Sequence, residues 1–453
     1  MPQPIIPPEV RDHYLDYPYP PCKPEDDKRR LAQTQGSYLG EINHYLFNGE
    51  ENFQNGFRIL IAGGGTGDAT IYLADQLQET NAEIVYLDFS TTSMQIAQER
   101  ARNRRLTNIT WIEDSLLNIP NLDLGKFDFI NCIGVLHHLK DPDAGLQILA
   151  DSLSDTGGMD IMVYAQYGRT AVYQIQELLR LVNKKASTRQ DEVKNAWTIL
   201  NDLPETNWQV KGKELVSDHK TFGDIGMYDL FLHKQDRAYT IPQLYEFLEK
   251  AQLKLAAFYD GATRCSLELD QYIKDETLLE TLKQRPRVEQ EAMSEILCGN
   301  ITKHMCYVSK RSDTKASLND MDNVPYFMES IPEGIVNDMT RFGPPPPEGA
   351  LLDVSWIRWQ RTITVPLLVS TYTKHFFSAM LSKERSFQEI KDYINQRIPI
   401  SDEDFQTERN SLLVFELTGD LLMRKKTVSI PDFHLQVFLS QARLIENAHV
   451  AGP

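Results

Sequence analysis

Between Phe57 and Asp68 the chain reads FRILIAGGGTGD, and its glycines are the first residues with an obvious chemical use. Gly63, Gly64, Gly65 and Gly67 crowd a turn where a ligand can lie against bare backbone and where some positions need positive φ. Arg58 to Ala62 before them is a short apolar run of strand formers. Ala69 to Ala74 after them begins a helical pattern with Leu73 and Leu77 on one face. A strand turning sharply into a helix opens a doubly wound nucleotide-binding sheet. The spacing here is G-x-G-x-G, whereas a dinucleotide site has G-x-G-x-x-G. The position three beyond Gly65 is Asp68, an acid that would oppose a phosphate. No Gly-Lys-Ser/Thr follows, so a Walker loop is excluded.

Further polar residues follow at the ends of successive strand-like runs. Asp88 lies 21 residues after Gly67, at the end of Glu83–Asp88 and before Phe89. A carboxylate there can accept both ribose hydroxyls. Asp114-Ser115 follows the run Ile109–Ile112, where a carboxylate could take an adenine amino group. Cys132 falls inside the run Phe127–Gly134 and is grouped with these cofactor candidates. Together they suit an adenosyl ligand without phosphates, which points to S-adenosylmethionine. His137 and His138, just past the fourth run, are the candidates for a catalytic base, with structural duties as the alternative.

The elements that must hold these residues alternate strand and helix from Phe57 onward, as in a parallel sheet. Ser93–Arg102 reads as the second helix, Leu146–Leu153 as a later one and Met159–Tyr164 as strand five. Residues 1–56 precede the sheet as an arm or lid, with Tyr14, Tyr17 and Tyr19 among prolines and a helical pattern from Lys28 to Phe47. Its aromatic rings could cover adenosine or the acceptor. After strand five, residues 165–237 read as an inserted cap. The helix Pro242–Ala251, the strand Lys254–Tyr259 and a final antiparallel strand Lys303–Ser309 complete the sheet, with a second insertion at 261–300. Within the cap, Asp229, His233 and Asp236 fall at i, i+4 and i+7. That spacing could align a metal site, but gripping the acceptor with Arg237 and Tyr239 is favoured over it, a solvated capping turn is favoured over both, and no metal is expected. Arg169 joins the candidates on the acceptor side.

From these motifs the chain resembles class I methyltransferases dependent on S-adenosylmethionine, clearly over residues 57–165 and in outline over 238–309. The resemblance implies a doubly wound, Rossmann-like α/β fold with a seven-stranded sheet, here with helical insertions. It also implies methyl transfer to an acceptor. One departure is visible: such enzymes usually carry an acid two residues before the first glycine, and Ile61 stands there. Asp68 is the candidate replacement for the contact to the methionine ammonium. A similar triple-glycine loop occurs in aminopropyltransferases, which keeps decarboxylated S-adenosylmethionine open as a ligand. The arm, insertions and C-terminal region also resemble bacterial protein-lysine methyltransferases, some of which dimerise. That looser likeness implies a protein side-chain amine as acceptor and allows a homodimer. A small metabolite as acceptor, or a catalytically silent regulator that binds the cofactor, are the alternatives.

A length of 453 residues suggests two or three domains. Residues 310–325 read as a polar linker. Residues 326–453 read as a mainly helical domain of winged-helix type, with Pro344–Pro347 extended near its start. Helices are expected at Leu367–Leu381, Phe387–Gln396 and Asp404–Leu417, and a strand at Leu421–Lys425. Forty-seven basic against 64 acidic side chains give a net charge of −17, which argues against general nucleic-acid binding. No apolar run of membrane-spanning length and no signal peptide is evident, so no membrane partner is expected. Five scattered cysteines without CxxC pairing suggest neither disulfides nor zinc, and the cytoplasm is the expected compartment.

Overall fold

The computed structural model describes residues 15–212, 215–328, 349–358 and 361–429, so Tyr14 and Pro344–Pro347 lie outside the described residues. The chain divides into two compact units. One comprises residues 1–38 and 53–312, the other residues 39–52 and 313–453.

The first unit is built on the apolar runs read from the sequence. Strands β1 (Arg58–Ala62), β2 (Glu83–Asp88), β3 (Ile109–Glu113), β4 (Phe127–Ile133) and β5 (Leu153–Ala165) pair in parallel. A two-residue strand β6 (Ala238–Tyr239) pairs with the end of β5. Strands β7 (Lys254–Phe258) and β8 (Lys303–Ser309) close the sheet, with β8 antiparallel to both β5 and β7. The order is β3-β2-β1-β4-β5-β8-β7, the doubly wound fold expected. Because β1 lies between β2 and β4, the strand order reverses there. A crevice forms outside the carboxyl ends at such a switch point.

Four of the five residues of β1 are fully buried, which parallel strands covered on both faces require. The helices Pro142–Ser152 and Ile241–Lys250 pack on one face through Leu146, Leu149, Leu244 and Leu248. The cap consists of the helices Thr170–Val182, Arg189–Asn201, Trp208–Lys211 and Asp218–Met227, ending in a π-helical turn, Tyr228–Leu232. It carries its own core of Val172, Ile175, Leu179, Tyr228 and Phe231. No helix among the described residues is long and apolar enough to cross a membrane.

In the second unit the long N-terminal helix expected over 28–47 is confined to Leu39–Leu46. Gly36, at φ +76°, breaks the pattern before it. All eight residues of that helix are buried. The stretch expected as a polar linker is hydrogen-bonded structure. Ala316 N donates to His44 O (2.7 Å), Asn48 N donates to Thr314 O (2.7 Å), and Ala316 and Leu318 enter the core. Its polarity misled because backbone groups, which composition does not report, make the bonds. Strand β9 (Asn323–Phe327) pairs antiparallel with β12 (Leu421–Lys425). Residues expected to begin a helix at Leu367 instead belong to β11 (Arg361–Leu368), paired with β10 (Leu351–Arg358). The helix follows at Thr373–Ser382, and the later helical run divides into Asp402–Asn410 and Leu413–Thr418.

Candidate functional site

A cavity of about 670 Å³ opens at the carboxyl ends of β1, β2, β4 and β5. Its floor is the glycine loop. Gly63 N and Gly64 N both donate to Leu87 O (2.8 and 3.2 Å), tying the turn to the end of β2. A Cβ on Gly64 would stand 2.1 Å from the Tyr86 ring, so no side chain fits there. Gly67 at φ +100° caps the helix Asp68–Gln76, and a Cβ there would meet Ala97 at 2.8 Å. Asp88 fixes the loop from the next strand. Its Oδ2 accepts from Gly65 N and its Oδ1 from Ser90 N, each at 2.8 Å. Burial nevertheless pushes its carboxyl above the usual range, against those hydrogen bonds.

Asp114 and Ser115 line the same end. Asp114 Oδ1 accepts from Ser115 N (2.7 Å), its Oδ2 accepts from Asn118 Nδ2 (2.7 Å), and Ser115 Oγ accepts from Leu117 N (3.2 Å). Phe89 and Asp68 complete that wall. Asp68 is also bound to structure: Arg100 donates to its Oδ1 at 2.6 Å, to Thr66 O at 2.9 Å and, through Nε, to Asp27 at 2.7 Å. Arg100 and Asp27 are both buried, and Thr66 Oγ1 donates to Pro20 O (2.7 Å). The arm is thereby clamped onto the glycine loop, which brings Tyr19 and Pro20 into the cavity wall.

The opposite end is formed by Tyr19, Tyr164, Arg169, Asp218, Phe222 and Asp229. Arg169 is 3% exposed and lies over the Tyr164 ring at 3.5 Å. The ring of His137 packs against Tyr164 at 3.8 Å. His138 stacks on His233 at 3.9 Å and pairs through Nδ1 with Gln235 O at 2.9 Å. Burial lowers the pKa of both histidines, that of His138 to about 4, so both rings are neutral near pH 7. Burial pushes the Asp229 carboxyl up to about 7; Arg169 restrains it, and Asp218 and Asp236 raise it further.

Several expected site residues stand behind the cavity rather than in it. Cys132 points into the core between sheet and helices, where alternation along β4 sends it away from the crevice. Gly67 and His137 support the wall from outside. Tyr17 stacks on Tyr228 at 5.4 Å, and Tyr239 packs on Phe247. His233 and Asp236 are turned inward, Asp236 accepting from Gln176 Nε2 at 2.8 Å. No group of three or more metal-ligating side chains is assembled among the described residues. Sequence reasoning did not separate Asp229, which faces the cavity, from His233 and Asp236, which do not, and it missed Asn131, Tyr164 and Phe222. They come from elements far apart in sequence and share no spacing, although Asp229 on a π-helical turn is the kind of irregularity that marks functional positions.

Residues 60–159 match the protein family described as a methyltransferase domain. The chain is 36% identical over 205 residues, 45% of its length, to an uncharacterized protein, syc1184_c, of Synechococcus sp.. It is 27% identical over 134 residues, 30% of its length, to a ubiquinone biosynthesis O-methyltransferase of Albidiferax ferrireducens. The matched part spans about half the length of these relatives, 48% and 49%. The fold is shared with the structure of PKMT2 from Rickettsia typhi in complex with AdoHcy. That likeness has a TM-score of 0.59 at 15% identity and covers 88% of this chain and 76% of the other.

Proposed function

We propose that this chain, which carries a class I methyltransferase domain over residues 60–159, moves the methyl group of S-adenosylmethionine to an amine on a protein side chain. The observation that carries this reading is one cavity with two different ends. A glycine loop and Asp88 form the first, and a cap with aromatic rings and carboxylates forms the second. The residues at the first end fit the cofactor. A cradle in which a Cβ would strike Tyr86 leaves backbone free to lie against the ligand, and Asp88, held by two backbone N–H groups, is set to take the ribose hydroxyls. Asp114 and Phe89 would flank the adenine, and Asp68 would support the methionine ammonium. The cofactor supplies an activated methyl group on a sulfonium. The chain's own residues hold the acceptor in line, exclude water and receive the proton that an ammonium acceptor must lose.

A protein acceptor is supported by the second compact unit. It brings no cofactor motif, and its mixed sheet-and-helix body exceeds what the transfer itself requires. A small metabolite is the second reading, because Leu215, Phe222 and Asp229 of the cap line the cavity and would enclose one. Incubation of the full chain with methyl-tritiated S-adenosylmethionine and cell lysate tests both. Label in protein bands of a gel supports the first, label only in the small-molecule extract supports the second, and label in neither overturns methyl transfer.

A further inference from the structure

Asp229 is 5% exposed and lines the cavity, and the charge that favours its ionised form is that of Arg169 rather than a hydrogen bond. A carboxylate set in a mostly buried wall and facing a ligand space favours a ligand that brings it a donor or a positive charge. Its surroundings define the chemistry. Asp218 is a second carboxylate on the same wall, and Tyr19 and Phe222 meet edge to face at 5.9 Å, giving rings that tolerate a cation. The Tyr164 ring is occupied by Arg169 and His137 and is not available. The two histidines expected to act as bases are committed elsewhere, His137 against Tyr164 and His138 to Gln235 O.

We propose that the carboxylate of Asp229 receives the acceptor's ammonium group and takes its proton before the methyl group moves. This rests on the methyl-transfer reading above. The balance is simple. One N–H bond of the ammonium breaks, its proton joins an Asp229 oxygen, and the freed nitrogen lone pair forms the N–C bond. The C–S bond breaks with its electrons staying on sulfur, leaving S-adenosylhomocysteine and a methylated ammonium. Asp229 then returns its proton to solvent. A carboxyl titrating near 7 is suited to this because a large share of it is ionised at neutral pH while it stays basic enough to accept a proton. The charged and titratable groups facing it are Arg169, Asp218, Asp236, Tyr19 and Tyr164. Both tyrosine hydroxyls are raised by burial and stay protonated, Asp236 is bonded to Gln176 off the cavity, and His138 is already neutral. On the packed helices, Glu192 is paired with Lys234, and His219 packs against Phe231.

The test needs no turnover. The full chain loaded with S-adenosylhomocysteine is titrated calorimetrically with n-butylammonium, and in parallel with butyrate. Butylammonium is expected to bind with Kd on the order of 1 mM at about pH 8. Its affinity should weaken as pH falls through about 7, and it should weaken at least about tenfold in Asp229→Asn, with partial recovery in Asp229→Glu. Butylammonium binding equally to wild type and Asp229→Asn, or not at all to wild type, overturns the proposal. Butyrate binding in its place does so too and assigns the space to Arg169. If Asp229→Asn fails to fold, the pH dependence of the wild type decides alone. Failure of S-adenosylhomocysteine itself to bind, with butylammonium still held, overturns the methyl-transfer reading and leaves the ammonium site standing.

Discussion

The two ends of the cavity satisfy their polar groups in opposite ways. At the glycine-loop end, Asp88 and Asp114 use both oxygens on donors that lie within a few residues or on the adjoining turn. At the cap end, Asp229 faces the cavity with burial and neighbouring charges, not hydrogen bonds, setting its ionisation, and Arg169 Nε and Nη2 are buried without a hydrogen-bond partner. The first end is therefore rigid before any ligand arrives, which suits a ligand that never changes. The second holds desolvated charges in reserve for whatever enters, and charges of that kind discriminate strongly because only a complementary group satisfies them.

The largest break in this contrast comes from loosening the rigid end. Arg100→Met leaves Asp27 buried without its partner, and breaking a buried pair from one side costs about 3–5 kcal/mol. Chemical denaturation is expected to show that loss, with weaker cofactor binding as the arm comes off the loop. Retention of wild-type stability would mean that the clamp does not hold the two together.

A second measurement reads the cap end through pH. His138 titrates at about 4 when folded against an ordinary 6.5, so the unfolded chain binds a proton that the folded chain refuses. Its contribution to stability is lost as pH falls from 6.5 to about 4. Asp229 titrates at about 7 against an ordinary 3.8, so the folded chain keeps a proton that the unfolded chain gives up. Its contribution is lost as pH rises from 3.8 to about 7. Relative to wild type, His138→Gln should gain stability toward low pH and Asp229→Asn toward high pH, each by about 1.4 kcal/mol per unit within its window. Denaturant midpoints across pH check both slopes, and parallel curves for all three proteins would refute the burial of these charges.

Asp88→Ala sharpens the contrast from the other side. It removes the acceptor of Gly65 N and Ser90 N together with the ribose contact, so cofactor affinity should fall roughly ten- to hundredfold, about 1.5–3 kcal/mol. Calorimetry should find butylammonium affinity at the cap end unaltered. The smallest effect is expected in the second unit, where His44 Nδ1 accepts from Met423 N at 3.0 Å across 379 positions of sequence. His44→Ala should cost about 1–2 kcal/mol by leaving that buried donor unpaired. Cofactor affinity should hold, because neither residue lines the cavity.

What the sequence determined by itself is the part of the molecule in which chemistry and local backbone coincide. The run Arg58–Asp68 encodes strand, turn and helix in consecutive residues, and Asp88 and Asp114 are found by counting to the next strand ends. Glycine spacing, alternating apolar runs and strand-end acids are local signals, so the sheet and its cofactor wall were legible without a structure. Only the tertiary structure decided which side of each element faces the cavity. It turned Cys132, Tyr239 and Asp236 away from the cavity and Asp229 into its wall, although all four are equally plausible on composition. It also gave Leu39–Leu46 to the C-terminal unit, where His44 meets Met423, and drew Lys28 and Gly36 out of the helix their pattern suggested. Partners hundreds of residues apart leave no periodic trace, since burial and hydrogen-bond satisfaction are settled by the whole folded chain.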